Sequence, residues 1–334
     1  MAEIHAGQPH TLMRKFVARL RRTWRYAIRN AQFLAGRPHL HIAIFEDCPW
    51  SMPFFDWIER THPAVYRHIR LTYATGPFTY RWPGGRGLLP WVPSPSTHQD
   101  HLPYEELLAL EQIYLQHDLP VFNPISRLSH ARQAIALATA QEMGLHCADY
   151  EICGPESRIE EIQALVGSPF LVRDLSEFGR PAYTIFSEAQ WRTLPWHLLR
   201  QPVAYSWQDG DDLPYFALAS GERLTALSRG GDGIPPTLPV DSLPLIRLQE
   251  TLGLTLLAYE MSTDRQGAPV LWGVAPLPKM LEQQHELDQA ALETVYQATL
   301  YALLDKLGWH YSGVSVQTSA ASDRSAKALN RETE

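Results

Sequence analysis

Apolar residues recur along the chain with two periods, and the switches between them lay out alternating strands and helices. Residues 41–47 run apolar until they end in acids, which predicts a buried strand opening into a loop, and Ile69 to Tyr73 predicts a second. Pro53 to His68 between them is aromatic and helix-like. Residues 76–103 are dense in Gly, Pro, Trp and Ser and predict a long loop or hairpin region. An acidic amphipathic helix follows at 104–118, then a short strand at 119–123 and a helix at 129–143 stopped by Gly144. Strands are predicted at 147–153, 169–173 and 181–186, with a helix at 159–166 between the first two. Further strands fall near 203–207, 213–218 and 222–228. Residues 230–244 read as loop and 245–253 as helix. Strands at 255–261 and 268–275 are joined by a turn over 264–267. A long helix over 281–307 closes at Gly308, and the tail from about Thr318 reads as loose.

Composition narrows the class. With 334 residues, 45% of them hydrophobic and 19% charged, the chain can bury ordinary globular cores in two or three units. No window approaches the roughly 18 apolar residues of a membrane span. Three cysteines, Cys48, Cys147 and Cys153, without a signal-type start, fit a reducing compartment, so a soluble cytoplasmic protein is expected.

Charge is uneven. Residues 1–36 carry seven Lys/Arg and one acid, or +6, so the remainder carries −13 of the net −7. Arg14, Lys15, Arg19, Arg21, Arg22, Arg25 and Arg29 interleave with Met13, Phe16, Val17, Leu20, Trp24, Ala27 and Ile28 at helical spacing, which predicts an N-terminal basic amphipathic helix. Such a helix can pack on its own acidic body. Through residues 12–30 it can also meet a membrane, a nucleic acid or a partner's groove.

Other chemical signals are sparse. The run Gly84-Gly85-Arg86-Gly87 lacks the following Lys-Ser/Thr of a phosphate loop and reads as a turn. His39 and His41 share one strand face as a metal pair would, but the preferred reading is a strand-entry pair of ordinary surface histidines. His146, Cys147 and Cys153 match no zinc spacing, and the cysteines read as small core residues. No nucleophile motif such as G-x-S-x-G occurs. The ten tryptophans can line a groove or fill a core.

Four strings within about residues 40–280 resemble the ATP-grasp superfamily, nearest to its glutathione-synthetase-like and peptide-modifying carboxylate–amine ligases. PVFNPISRLSHARQAIALATAQEMG (120–144) resembles the stretch in which Asn-Pro precedes a helix bearing a phosphate-binding cation. SPFLVRDLSEFG (168–179) resembles the strand whose Lys or Arg reaches the nucleotide phosphates. QPVAYSWQDGDDLPYFALASGERL (201–224) is similar to the adenine-contacting hinge and the strand after it. GLTLLAYEMSTDRQGAPVLWGVAPLP (253–278) is similar to the terminal strand pair that carries the metal ligands. The resemblance implies an α/β to α+β, ATP-grasp-like fold. It divides the chain into the basic extension (1–36), an N-terminal α/β domain (37–125), an ATP-grasp-like domain (126–312, with a central part at about 145–205) and a tail (313–334).

For the site, the resemblance implies ATP as cofactor, with Arg132 and Arg173 on its phosphates and Gln201, Val203 and Asp209 along the hinge. Arginine can hold phosphate bidentately, so the scarcity of lysine, four in all, is compatible with this. Glu260 takes the first metal position, but Gly273 and Ala275 stand where the Glu and Asn ligands should be. Gly179-Arg180-Pro181 replaces the glycine loop, and proline has no N–H to offer. Magnesium is therefore poorly provided for. Three readings follow: a degenerate member that binds a protein or peptide partner, or a second copy of itself; an active ATP-dependent ligase; and a membrane- or RNA-associated module working through the basic helix.

Overall fold

The computed structural model describes residues 33, 36–44, 51–73, 85–92, 102–174, 183–199, 202–206, 215–221, 223–227, 243–264, 266, 268–277, 281, 287–311 and 316–318. The basic helix, the glycine-loop region, Cys48 and the tail beyond 318 lie outside them. Among the described residues, no helix is long and apolar enough to cross a membrane.

The first sheet is parallel, in the order β2-β1-β3, from β1 (His39–Ile44), β2 (Ile69–Tyr73) and β3 (Gly85–Trp91). Helices α1 (Ser51–Thr61) and α2 (Pro63–Tyr66) connect its first two strands. The strand β3 falls within the stretch expected to be loop or hairpin, so that expectation is corrected. It holds because Pro90 sits on a strand at the end of the sheet, where a missing N–H is tolerated. Its two glycines make room for neighbours: a Cβ at residue 85 would run into the Tyr114 hydroxyl, and one at 87 would lie 2.7 Å from Leu307 Cδ2. The Gly-Gly-Arg-Gly run is therefore, from Gly85 on, the start of a strand rather than a turn.

His39 and His41 are buried in this sheet, not at the surface. His39 Nδ1 lies 2.8 Å from the Arg37 carbonyl, and His41 Nε2 lies 2.7 Å from Thr72 Oγ1. Burial pushes the His39 pKa down to about 3 and that of His41 well below its usual value, with the nearby Arg70 charge adding to both. Cys147 and Cys153 are buried, and burial raises their thiol pKa values to about 11 and about 12, as fits core residues.

Helix α3 (Leu102–Gln116) leads past Asn123 into α4 (Ile125–Leu128), a turn of 3-10 helix at Ser129–Ala131, and α5 (Gln133–Glu142). The helix expected over 129–143 is thus broken at Arg132, whose extended ψ of 131° forms the boundary. Gly144, at φ 80°, ends it as expected. The second sheet is antiparallel, in the order β4-β7-β5-β6: β4 (Tyr150–Ile152), β5 (Phe170–Asp174), β6 (Tyr183–Ile185) and β7 (Pro202–Ser206). Helices α6 (Ile159–Val166) and α7 (Glu188–Arg192) cover one face of it. There Phe170, Val172, Ala204 and Trp191 form a small separate core.

The third sheet is also antiparallel, in the order β11-β10-β8-β9: β8 (Tyr215–Ser220), β9 (Arg223–Leu227), β10 (Leu256–Thr263) and β11 (Pro269–Pro276). Helix α8 (Leu243–Leu252) precedes β10, and the Tyr259 hydroxyl donates to the Leu245 carbonyl at 2.7 Å. Helix α9 (Gln289–Lys306) starts at an Asp288 cap that accepts from Ala291 N, later than the expected 281. A small hairpin, β12 (Trp309–Tyr311) and β13 (Val316–Thr318), follows it.

Candidate functional site

The second and third sheets meet through the faces that alternation leaves over. On β5, Phe170 and Val172 point to the small core, so Leu171 and Arg173 point the other way. On β7, Ala204 joins the small core while Val203 and Tyr205 join the main one. The register sets Arg173 beside Val203 and Leu171 beside Tyr205. Opposite them, β10 presents Glu260, which pairs with Gly273 on β11 and Phe216 on β8.

Arg173 Nη2 donates to Glu260 Oε2 at 2.7 Å, with both side chains almost fully buried, at 6% and 4% exposure. Burial alone would weaken the Arg173 charge. The Glu260 carboxylate and, to a lesser degree, Tyr205 and Asp174 together outweigh it and hold the guanidinium pKa above its ordinary value. Tyr205 lies under this pair, its ring centroid 5.7 Å from the Arg173 guanidinium carbon. Its hydroxyl has no hydrogen-bond partner among the described residues, and burial pushes its pKa up to about 12.

The β10–β11 pairing slips between Glu260 and Met261, so Trp272 is an extra residue on its strand, a β-bulge. The bulge turns the indole toward the second sheet. It stacks at a tilt on Tyr205, with centroids 5.1 Å apart, and Trp272 Nε1 donates to Ser262 Oγ at 2.6 Å. Beside it, Gln133 spans the Val274 backbone: its Oε1 accepts from Val274 N at 2.9 Å and its Nε2 donates to Val274 O at 2.5 Å. The amide lies over Gly273. A Cβ there would sit 3.1 Å from Gln133 Oε1 and 3.4 Å from Glu260 Oε2.

Of the residues singled out in the sequence, the structure brings Arg173, Val203, Glu260 and Gly273 together. Ala275 is buried two positions along β11, opposite Ala258. Arg132 is exposed at the start of α5, where its charge acts on the Tyr104 hydroxyl, and the adjacent Gln133 is the side chain that reaches β11. Gln201 and Asp209 lie outside the described residues. Sequence reasoning missed Gln133, Tyr205 and Trp272. It also missed the pairing of Arg173 with Glu260, although a signal existed: one arginine in FLVRD and one glutamate in LLAYEM are charges inside apolar strands, and buried charges require partners. Among the described residues, no group of three or more His, Cys, Asp or Glu is placed to hold a metal ion.

No protein-family model and no curated protein matches the chain. Solved structures do. D-alanine–D-alanine ligase from Bacillus anthracis, solved with ATP, matches with a TM-score of 0.55 at 11% identity, over 87% of this chain and 99% of that one. The ATP-grasp ligase PsnB, solved with a minimal precursor, matches at 0.54 and 10% identity, over 79% and 99%. The macrocyclase MdnC from Microcystis aeruginosa MRC, bound with precursor peptide MdnA, matches at 0.50 and 12% identity, over 79% and 99%. The chain has the ATP-grasp fold, as its four sequence strings imply.

Proposed function

We propose that this chain uses the ATP-grasp fold to bind a protein or peptide partner and does not catalyse ligation. The observation that supports this most directly is the ion pair of Arg173 with Glu260, opposite a glycine. By the resemblance, Arg173 would hold phosphate and Glu260 would hold metal, yet each holds the other. Magnesium asks for several hard oxygen ligands in near-octahedral array. Here it would find one carboxylate already bonded to a guanidinium, beside Gly273 and Ala275. This donor set does not fit the ion, and phosphoryl transfer without metal neutralisation loses most of its rate.

A peptide is the proposed partner class because PsnB and MdnC, which share the fold, were solved with precursor peptides. A cytoplasmic location belongs to the same proposal, from the sparse cysteines. Calorimetric titration of the full chain with ATP, with and without magnesium, alongside an assay for ADP release, tests it. We expect no ADP release and no magnesium-dependent binding. Magnesium-dependent binding with turnover overturns the proposal in favour of an active carboxylate–amine ligase, with Arg173 and Glu260 separating to take phosphate and metal.

A further inference from the structure

We propose that the space along the inner face of β7, where the resemblance puts a nucleotide base, is filled by this chain's own Trp272, so that no base enters there. The assignment deepens the binding-only reading and rests on it for its functional sense. Val203 and Tyr205 form the inner face of β7. Neither has surface to offer a ligand, since Val203 is 1% exposed and Tyr205 0%. What covers Tyr205 comes from the opposite sheet: the Trp272 indole of β11, its ring centroid 5.1 Å away and its plane tilted by 42°. Tyr150 of β4 lies beside Tyr205 with ring centroids 5.7 Å apart. Three aromatic side chains on three strands thus run across the boundary between the two sheets.

An indole is a flat, fused five- and six-membered ring, and a purine has the same outline. The chain therefore supplies, from β11, a ring system of the base's own size. Its position is fixed. The bulge at Trp272 aims the side chain across the gap, and Nε1 donates to the buried Ser262 Oγ at 2.6 Å. The backbone on both sides is tied down. Leu271 N donates to the His146 carbonyl and the Leu271 carbonyl accepts from Ala148 N, each at 2.9 Å, while Gln133 bonds both the N–H and the carbonyl of Val274. A base could stack on Tyr205 only after the indole had left, which breaks the Ser262 bond and returns a large apolar ring to water. In exchange it would meet one ring face and the Tyr205 hydroxyl, which is buried without a hydrogen-bond partner among the described residues. The indole already holds the ring face, and an occupant joined to the chain competes at a high effective concentration.

Two measurements on the full chain test this. In protein labelled with fluorotryptophan, the Trp272 fluorine signal is identified by its loss in Trp272→Phe. It should stay in place when adenine or ATP is added to about 1 mM, a concentration that reveals any ligand of ordinary affinity. In calorimetry, Trp272→Ala should bind adenine and indole at least about tenfold more tightly than the wild type does, because a cavity of fused-ring shape then faces Tyr205. If Trp272→Ala does not fold, Trp272→Leu, which keeps an apolar side chain but no fused ring, carries the same expectation. A wild-type Trp272 signal that adenine or ATP shifts overturns the proposal, and so does an opened variant that gains affinity for neither ring. ADP release is read separately. Release by the wild type with the Trp272 signal unmoved overturns the binding-only reading and leaves the indole in its place, whereas a signal that ATP moves without ADP release overturns the filled space alone.

Discussion

Two regions of the molecule bury an arginine on a strand, and they treat its charge in opposite ways. In the parallel sheet, Arg70 is 1% exposed, paired in register with His41, and burial draws its pKa down to about 9. Between the other two sheets, Arg173 is equally buried, yet the Glu260 carboxylate strengthens its charge. Burial sets a cost in both places, and at Arg173 a neighbouring carboxylate offsets it. In the first region the adaptation falls on the histidines, which stay neutral. In the second a carboxylate bonds the guanidinium directly.

The largest expected effect breaks the second region. Arg173→Met should lower unfolding free energy by about 3–5 kcal/mol, read by urea denaturation, because Glu260 stays buried without its guanidinium. Gly85→Ala probes the first region, where the new methyl meets Tyr114. A loss of about 1–3 kcal/mol is expected from overpacking, partly relieved in Gly85→Ala/Tyr114→Phe.

A pH series sharpens the contrast. His39 and His41 have folded-state pKa values far below that of the unfolded chain, so below about pH 6.5 the unfolded state binds protons that the folded state refuses. Stability should therefore fall as pH drops from about 6.5 toward 3, by up to about 1.4 kcal/mol per pH unit for each histidine. His39→Gln should remove one proton from that slope, and an unchanged slope would contradict the burial of His39. Arg132→Ala should be the mildest change. Its exposed position predicts a shift within about 0.5 kcal/mol in the same denaturation experiment.

Local pattern carried much of the fold. The strand at Ile69–Tyr73 and the helix at Ile159–Val166 stand where periodicity puts them, and the hairpin of β10 and β11 has its turn at Asp264, whose Oδ1 accepts from Ala268 N at 2.8 Å. The strand β3 was illegible because its glycines and proline answer to Tyr114, Leu307 and the sheet edge, none of which a local window contains. The site was half legible for the same reason. Strings of residues placed Arg173 and Glu260 on their strands, while their pairing depends on how two sheets stack. Arg132 and Gln133 differ by one position, and only the extended backbone at 132 decides which of them faces β11.

The contact of Gln133 with Gly273 also bears on the order in which changes at this site could accumulate. A carboxylate at position 273 would have to pass through the space of an amide that fastens α5 to the Val274 backbone. It would also arrive beside the carboxylate of Glu260. Any side chain at 273 therefore needs the Gln133 amide to give way by a few tenths of an ångström, at the expense of its bonds to Val274. Positions 133 and 273 are thus coupled, and a substitution at either is felt at the other.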